Sequence, residues 1–266
     1  MDKSLNLGST LIFLLISLPL IGIIFWPYSP YSQDYDLLYL APNADHWFGA
    51  DDTGRDLVAR VSIAVEISFL VGVLSVIIGI LIGIPLGCYS AFYGGTADLL
   101  VQRVVDILMA FPLLIMGLLI IAAVGSGFTP LVIAIGIAQS PRFARMARAC
   151  TLSVKENEFI EAAFSFGGGK IYIIYKHVLR NITGPLIIQS VLFISEAIMV
   201  EAGLSFLGLG IQPPTPTLGN IIRGGVSFLG FSPWICIIPG AILSLIVIGL
   251  NLMGDGLRDK LAPDFI

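Results

Sequence analysis

The chain has 266 residues, 56 % hydrophobic and 12 % charged, with mean hydropathy +0.94 and net charge −4. Soluble domains carry about 25 % charged residues, so there are too few ionisable groups to clothe a water-facing globule, and a soluble single-domain enzyme is excluded. The negative balance also excludes a nucleic-acid partner, which needs a cationic surface.

A helix crosses the hydrocarbon core with about 20 apolar residues, and charge spacing divides the chain accordingly. Residues 4–33, 67–97, 107–141 and 224–254 carry no charge. The third stretch is interrupted by Gly125-Ser126-Gly127-Phe128-Thr129-Pro130, a turn signal, and so holds two spans. Residues 182–203 are broken only by Glu196 and Glu201 and form one more. Six membrane helices are expected, over 10–26, 65–92, 104–124, 131–150, 184–204 and 233–254. The first resembles a signal peptide in that Lys3 precedes an apolar core. No small-residue cleavage site follows it, however, and Trp26, Tyr28 and Tyr31 form an interfacial belt, so it reads as an anchor.

Six spans place both termini on one side. Lys3, Arg103, Arg142, Arg145, Arg148, Lys155, Lys170, Lys176, Arg180, Arg258 and Lys260 share that side, and only Arg55, Arg60 and Arg223 lie opposite. The positive-inside rule makes both termini cytoplasmic. The loops 27–64 and 205–232 are then external, and 142–181 is internal.

No catalytic group is found. The one Gly-Lys pair, Gly169-Lys170, is followed by Ile171 and lacks the earlier glycine of a phosphate loop. His46 and His177 fall on opposite sides of the membrane, so no His-based metal site forms. Gly203-Leu204-Ser205 has no intramembrane histidine to serve as base. Cys88, Cys150 and Cys236 are widely separated and read as buried small hydrophobes, with no disulfide and no metal.

The internal loop predicts two short helices about a glycine break. Phe159, Ala163 and Phe166 share one stripe of the first, with Glu158, Glu161 and Ser165 opposite. Gly167 stands where a helix ends in a left-handed turn. The second helix puts Ile171, Ile174, Tyr175 and Val178 on one stripe. Periodicity alone supports a helix pair lying on the bilayer surface.

Glu161-Ala162-Ala163, then Gly167, then His177-Val178-Leu179-Arg180 after nine residues, resembles the EAA loop of permeases in binding-protein-dependent ABC importers. His177 and Arg180 depart from the common Ile and Pro in the manner of the dipeptide/oligopeptide/nickel permease group. Four further segments are similar to that group: Gly49-Ala50-Asp51-Asp52-Thr53-Gly54-Arg55-Asp56, residues 106–112, residues 203–219 with Gln212-Pro213-Pro214-Thr215-Pro216, and residues 251–263. Ala50, Leu218 and Ala262 are small departures from the usual Thr, Trp and Asp.

The resemblance implies an all-α integral membrane protein of six transmembrane helices with the type I ABC importer permease fold, in a bacterial inner (cytoplasmic) membrane. It divides into a first helix and external loop (1–64), a five-helix core (65–254) with the EAA loop at 142–181, and a cytoplasmic tail (255–266). The implied partners are a second homologous permease, one or two cytoplasmic ABC ATPase subunits, an extracytoplasmic substrate-binding protein and membrane lipid. ATP and Mg are bound by the ATPases, and this chain holds no cofactor. Glu158, Phe159, Glu161, Ala162, Ala163, Phe166 and Gly167 become the ATPase-coupling residues, with Phe159 and Phe166 as apolar anchors and Glu161 as a polar contact. The implied cargo is di- or oligopeptides, with nickel or a metal chelate as the alternative within the family and a membrane scaffold as the alternative outside it.

Other charges are expected as follows. Arg142, Arg145 and Arg148 recur on one helix face and read as anchors to anionic lipid, with ATPase contact as the alternative. Asp106 pairs with a basic neighbour or caps a helix. Glu196 and Glu201, about 140° apart around a helix, either line the translocation path or satisfy a helix terminus within reach of water. Residues 27–66 hold seven acids against Arg55 and Arg60, a net of −5. That loop reads as a solvated surface meeting the binding protein, or as an acidic vestibule for cations, while Asp51, Asp52, Arg55 and Asp56 suit an ion-paired turn bent at Gly54.

Overall fold

A computed structural model describes residues 2–261. The helices are α1 (Asp2–Phe25), α2 (Leu57–Tyr93), α3 (Gly95–Met109), α4 (Leu113–Val124), α5 (Phe128–Lys155), α6 (Glu158–Ser165), α7 (Lys170–Ile173), α8 (Leu179–Phe206), α9 (Leu218–Gly225) and α10 (Trp234–Leu261). Among the described residues there is no strand, only an isolated antiparallel bridge between Ala50 and Asp56.

Small residues bring α2 and α5 close together. A Cβ on Gly83 would lie 2.3 Å from the Ser140 carbonyl oxygen, and one on Gly87 would lie 2.2 Å from that of Ala144. The two backbones therefore touch, which is how helices associate where lipid removes the hydrophobic drive between them. Gly8 and Gly256 do the same for α1 and α10. Ile12, Leu57, Val61, Ile198, Ile235 and Ile246 fill the core near the N-terminal end of α2. Phe92, Phe143, Ile160, Ile173, Ile174 and Val178 fill another near its C-terminal end. A third joins α4, α5 and α8 through Leu113, Leu131, Ile135 and Leu204.

The expected third span is not one helix. α3 and α4 meet at a 92° bend around Ala110-Phe111-Pro112. Pro112 lacks an N–H and holds its predecessor out of the helical region, so the helix stops before it and α4 restarts after it. At 12 residues α4 rises about 18 Å, short of the roughly 30 Å core. Among the described residues, α2, the continuous helix Lys170–Phe206 and α10 are long and apolar enough to cross a membrane, and the bent pair makes a fourth if it is one span. α1 is 24 residues long and α5 is 28, with the four cations of α5 confined to its C-terminal half.

Boundaries also shift. α2 starts at Leu57, not at residue 65, because Asp56 accepts from the Ala59 N–H at 2.8 Å and caps it. α10 continues past Gly254 to Leu261, so the first part of the expected tail is helix, and residues 262–266 lie outside the described ones.

Candidate functional site

The segment following α5 is rooted by Ile160, which is 2 % exposed, and by Ile173, Ile174 and Val178, all packed with Cys88, Phe92 and Ala147. Phe164 stacks on Phe92 at 5.8 Å between centroids, and Lys155 donates to the Phe92 carbonyl at 3.0 Å, closing the C-terminal end of α2. α6 is therefore pinned on one side. On its other side Glu158, Phe159, Glu161 and Ala162 are exposed, and beyond its end Phe166 is 92 % exposed.

Gly167 has φ +81, a left-handed conformation that a side chain would strain. The Gly168 N–H donates to the Ala163 carbonyl at 3.0 Å and the Gly167 N–H to that of Phe164 at 2.9 Å, which together close the helix end. Phe159, Ala162, Ala163, Phe166, Gly167, Tyr172 and His177 surround an open hollow of about 600 Å³.

The second short helix does not lie apart on a surface. α7 runs through a π-helical turn, Ile174–Val178, directly into α8. The stripe it buries is Ile173, Ile174 and Val178, while Ile171 and Tyr175 are exposed, because continuity with α8 rotates this turn to face α2 and α5.

The three arginines of α5 are not free for lipid. Arg142 pairs with Glu196 of α8, Arg145 with Asp106 of α3, and Arg148 grips Asp98 of α3 through two bonds at 2.8 and 2.7 Å. Asp106 thus pairs with a basic neighbour, as expected. Glu201 neither lines a water-reached path nor caps a helix end. It is 0 % exposed and accepts from Ser68 of α2 at 2.9 Å and Ser205 at 2.8 Å.

At the opposite end of α2, the acidic turn is a knot rather than a solvated face. Asp51 is buried and accepts from the Thr53 N–H and hydroxyl, the Arg55 N–H and the Arg55 Nε, the last at 2.8 Å. Asp52 is 3.7 Å from Arg55 Nη2. Burial, then the neighbouring Asp51, pushes the Asp52 carboxyl above the ordinary carboxylate range. Gly54 has φ +73, and a Cβ there would lie 1.7 Å from the Asp34 carbonyl oxygen. Asp56 caps α2, accepts from Trp26 Nε1 at 2.8 Å and is hydrogen-bonded to His46 Nδ1 at 2.7 Å, tying three segments together.

Sequence reasoning missed Ile160, His46, Ser68 and the box in which Thr217 and Asn220 cap α9 reciprocally. Thr-x-x-Asn before an apolar turn was the available signal for the last. Nothing local marks Ser68 as the partner of a residue 133 positions away.

Residues 79–266 match the family described as binding-protein-dependent transport system inner membrane component. The chain is 38 % identical over 253 residues to the probable D,D-dipeptide transport system permease protein DdpC of Escherichia coli (strain K12), covering 94 % of this chain and 85 % of that protein. It is 39 % identical over 222 residues to the dipeptide transport system permease protein DppC of Alkalihalophilus pseudofirmus, covering 84 % and 73 %. It is 38 % identical over 255 residues to the glutathione transport system permease protein GsiD of Pectobacterium atrosepticum, covering 94 % and 85 %. In fold it is similar to a chain of the inward-facing MetNI methionine ABC transporter, with TM-score 0.64, 17 % identity and coverage of 76 % of this chain and 96 % of that one. The chain belongs to the family of inner membrane components of binding-protein-dependent transport systems, as a permease subunit and not an enzyme.

Proposed function

We propose that this chain is one of two permease subunits that form the path for ATP-driven uptake of di- or oligopeptides across a bacterial inner membrane. The observation that carries the reading is α6: one face is locked into the core through Ile160 while Phe159 and Phe166 are presented outward beside a turn closed at Gly167. A short helix held in this way moves as a unit. Pressure on it reaches α7 through the turn closed at Gly167, and from α7 it passes along one continuous helix, through the π turn, into α8.

In this reading ATP and Mg sit on separate ATPase subunits, which dock on the hollow beside α6, and an extracytoplasmic binding protein delivers cargo at the other end. The chain passes the membrane six times, counting α1, α5 and the bent α3–α4 pair as spans, with both termini cytoplasmic. The cargo class is supported by the names of the relatives, which specify D,D-dipeptide, dipeptide and glutathione.

Two measurements test this. An impermeant thiol label should reach Asp45→Cys from outside intact cells and not Lys170→Cys; the reverse pattern overturns the orientation. Proteoliposomes holding both permeases and the ATPases should accumulate labelled dipeptide when ATP is inside and binding protein outside. Accumulation of nickel in place of peptide would assign the other cargo, and accumulation of neither would leave a scaffold.

A further inference from the structure

All three arginines at the Asp56 end of α2, namely Arg55, Arg60 and Arg223, line one cleft of about 460 Å³ between the 51–56 turn, the end of α8 and α9. Only two acids, Asp51 and Asp52, share it, so its lining is net positive within a loop region that is otherwise strongly acidic.

The pairing within the cleft is incomplete. Asp51 is occupied by Thr53 and Arg55. The Arg60 side chain is 5 % exposed, and among the described residues its buried Nε makes no hydrogen bond, although Asp51 Oδ2 is 3.2 Å away, while Nη1 donates to the Pro30 carbonyl at 3.2 Å. Arg223 is exposed and has no ion pair or hydrogen bond among the described residues. Its guanidinium lies against the backbone of Gly208, where a Cβ would come within 2.0 Å of Nη1. A cation thus stands at the cleft with no counter-ion among the described residues, beside a second one that is under-bonded.

The floor is shut. Ser205, Ile221 and Ile235 line it and are buried, and the Ser205 hydroxyl is held by Glu201 directly beneath. The buried floor leaves no room beneath, so the cleft suits a group that enters from outside and stops there.

We propose that this cleft is a carboxylate receptor, with Arg223 as its free cation, and that its occupant is an acidic side chain of the external binding protein. The proposal rests on the permease reading above. Exposed Asp34, Asp36 and Asp45 of the first external loop repel an acidic partner, so one such contact at the cleft orients docking as well as strengthening it.

The test uses the assembled importer in proteoliposomes with binding protein titrated outside. Arg223→Glu should raise the binding-protein concentration for half-maximal uptake about tenfold, Arg223→Gln about threefold and Arg223→Lys least. Added salt should raise the wild-type value more steeply than that of Arg223→Glu. Unchanged half-saturation in Arg223→Glu overturns the proposal and leaves the permease reading standing. A shift seen only in cargo dependence at saturating binding protein also overturns it, by assigning the cleft to the cargo's own carboxylate. No wild-type response to binding protein overturns both.

Discussion

Ser68 on α2 donates to the carboxylate of Glu201 on α8 at 2.9 Å, deep between the two helices and with no exposure to solvent. With Ser205 on the other oxygen, the acid is a fastener between α2 and α8 rather than a station on the cargo path.

Replacing Glu201 therefore separates structure from transport. Glu201→Gln preserves the shape and hydrogen-bonding capacity and should cost within about 1 kcal/mol, with uptake retained. Glu201→Ala leaves a cavity and two unpartnered hydroxyls and should cost about 2–4 kcal/mol. Thermal unfolding in detergent reads both. A Gln variant as stable as wild type but dead in uptake would show that the carboxylate itself handles cargo.

The Arg148–Asp98 pair ties α5 to α3 and is partly exposed, so its worth is modest, about 0.5–1 kcal/mol. Asp98→Arg should lower the unfolding temperature, and Asp98→Arg combined with Arg148→Asp should recover part of the loss. Strictly additive effects in the double variant would mean that the two side chains do not interact.

At the other end of α2, Gly54→Ala places a methyl group against the Asp34 carbonyl in a left-handed turn. The cost should exceed about 2 kcal/mol and fall on the turn, not on insertion. Hydrogen exchange should quicken across residues 27–64 while the amount of protein in the membrane stays near wild type. Unchanged exchange there would show that the knot around Asp51 and Asp56 opens readily in the native protein.

What could be read without coordinates follows from local chemistry. Uncharged runs located the long helices, and Gly167 announced its left-handed turn because the residues before it are helix formers and those after it are glycines. The acidic turn was legible as ion-paired at Gly54, but its burial was not, since Trp26 and His46 reach Asp56 from distant positions. α6 shows the limit most plainly. With the Phe166 that follows it, α6 carries two apolar stripes, Phe159-Ala163-Phe166 and Ile160-Phe164, and periodicity cannot say which one meets the core. The uncharged run through Pro112 suggested one span, although a proline's missing N–H was a signal for a break there. The arginines of α5 looked free because their partners lie on α3 and α8.

Transmission of ATPase closure to the permease by the segment ending at Gly167 follows from the proposed function. It is tested by measuring dipeptide uptake and ATP hydrolysis in the same proteoliposomes, for wild type and Gly167→Val at equal permease content. A Cβ at Gly167 meets nothing within 4 Å, so the variant strains the turn without disturbing the core. The expected result is a normal amount of permease in the membrane with uptake reduced about tenfold or more relative to hydrolysis, on the scale of 1–2 kcal/mol of strain at the turn. Equal uptake per ATP in the two proteins would show that the turn at Gly167 carries no coupling between hydrolysis and transport.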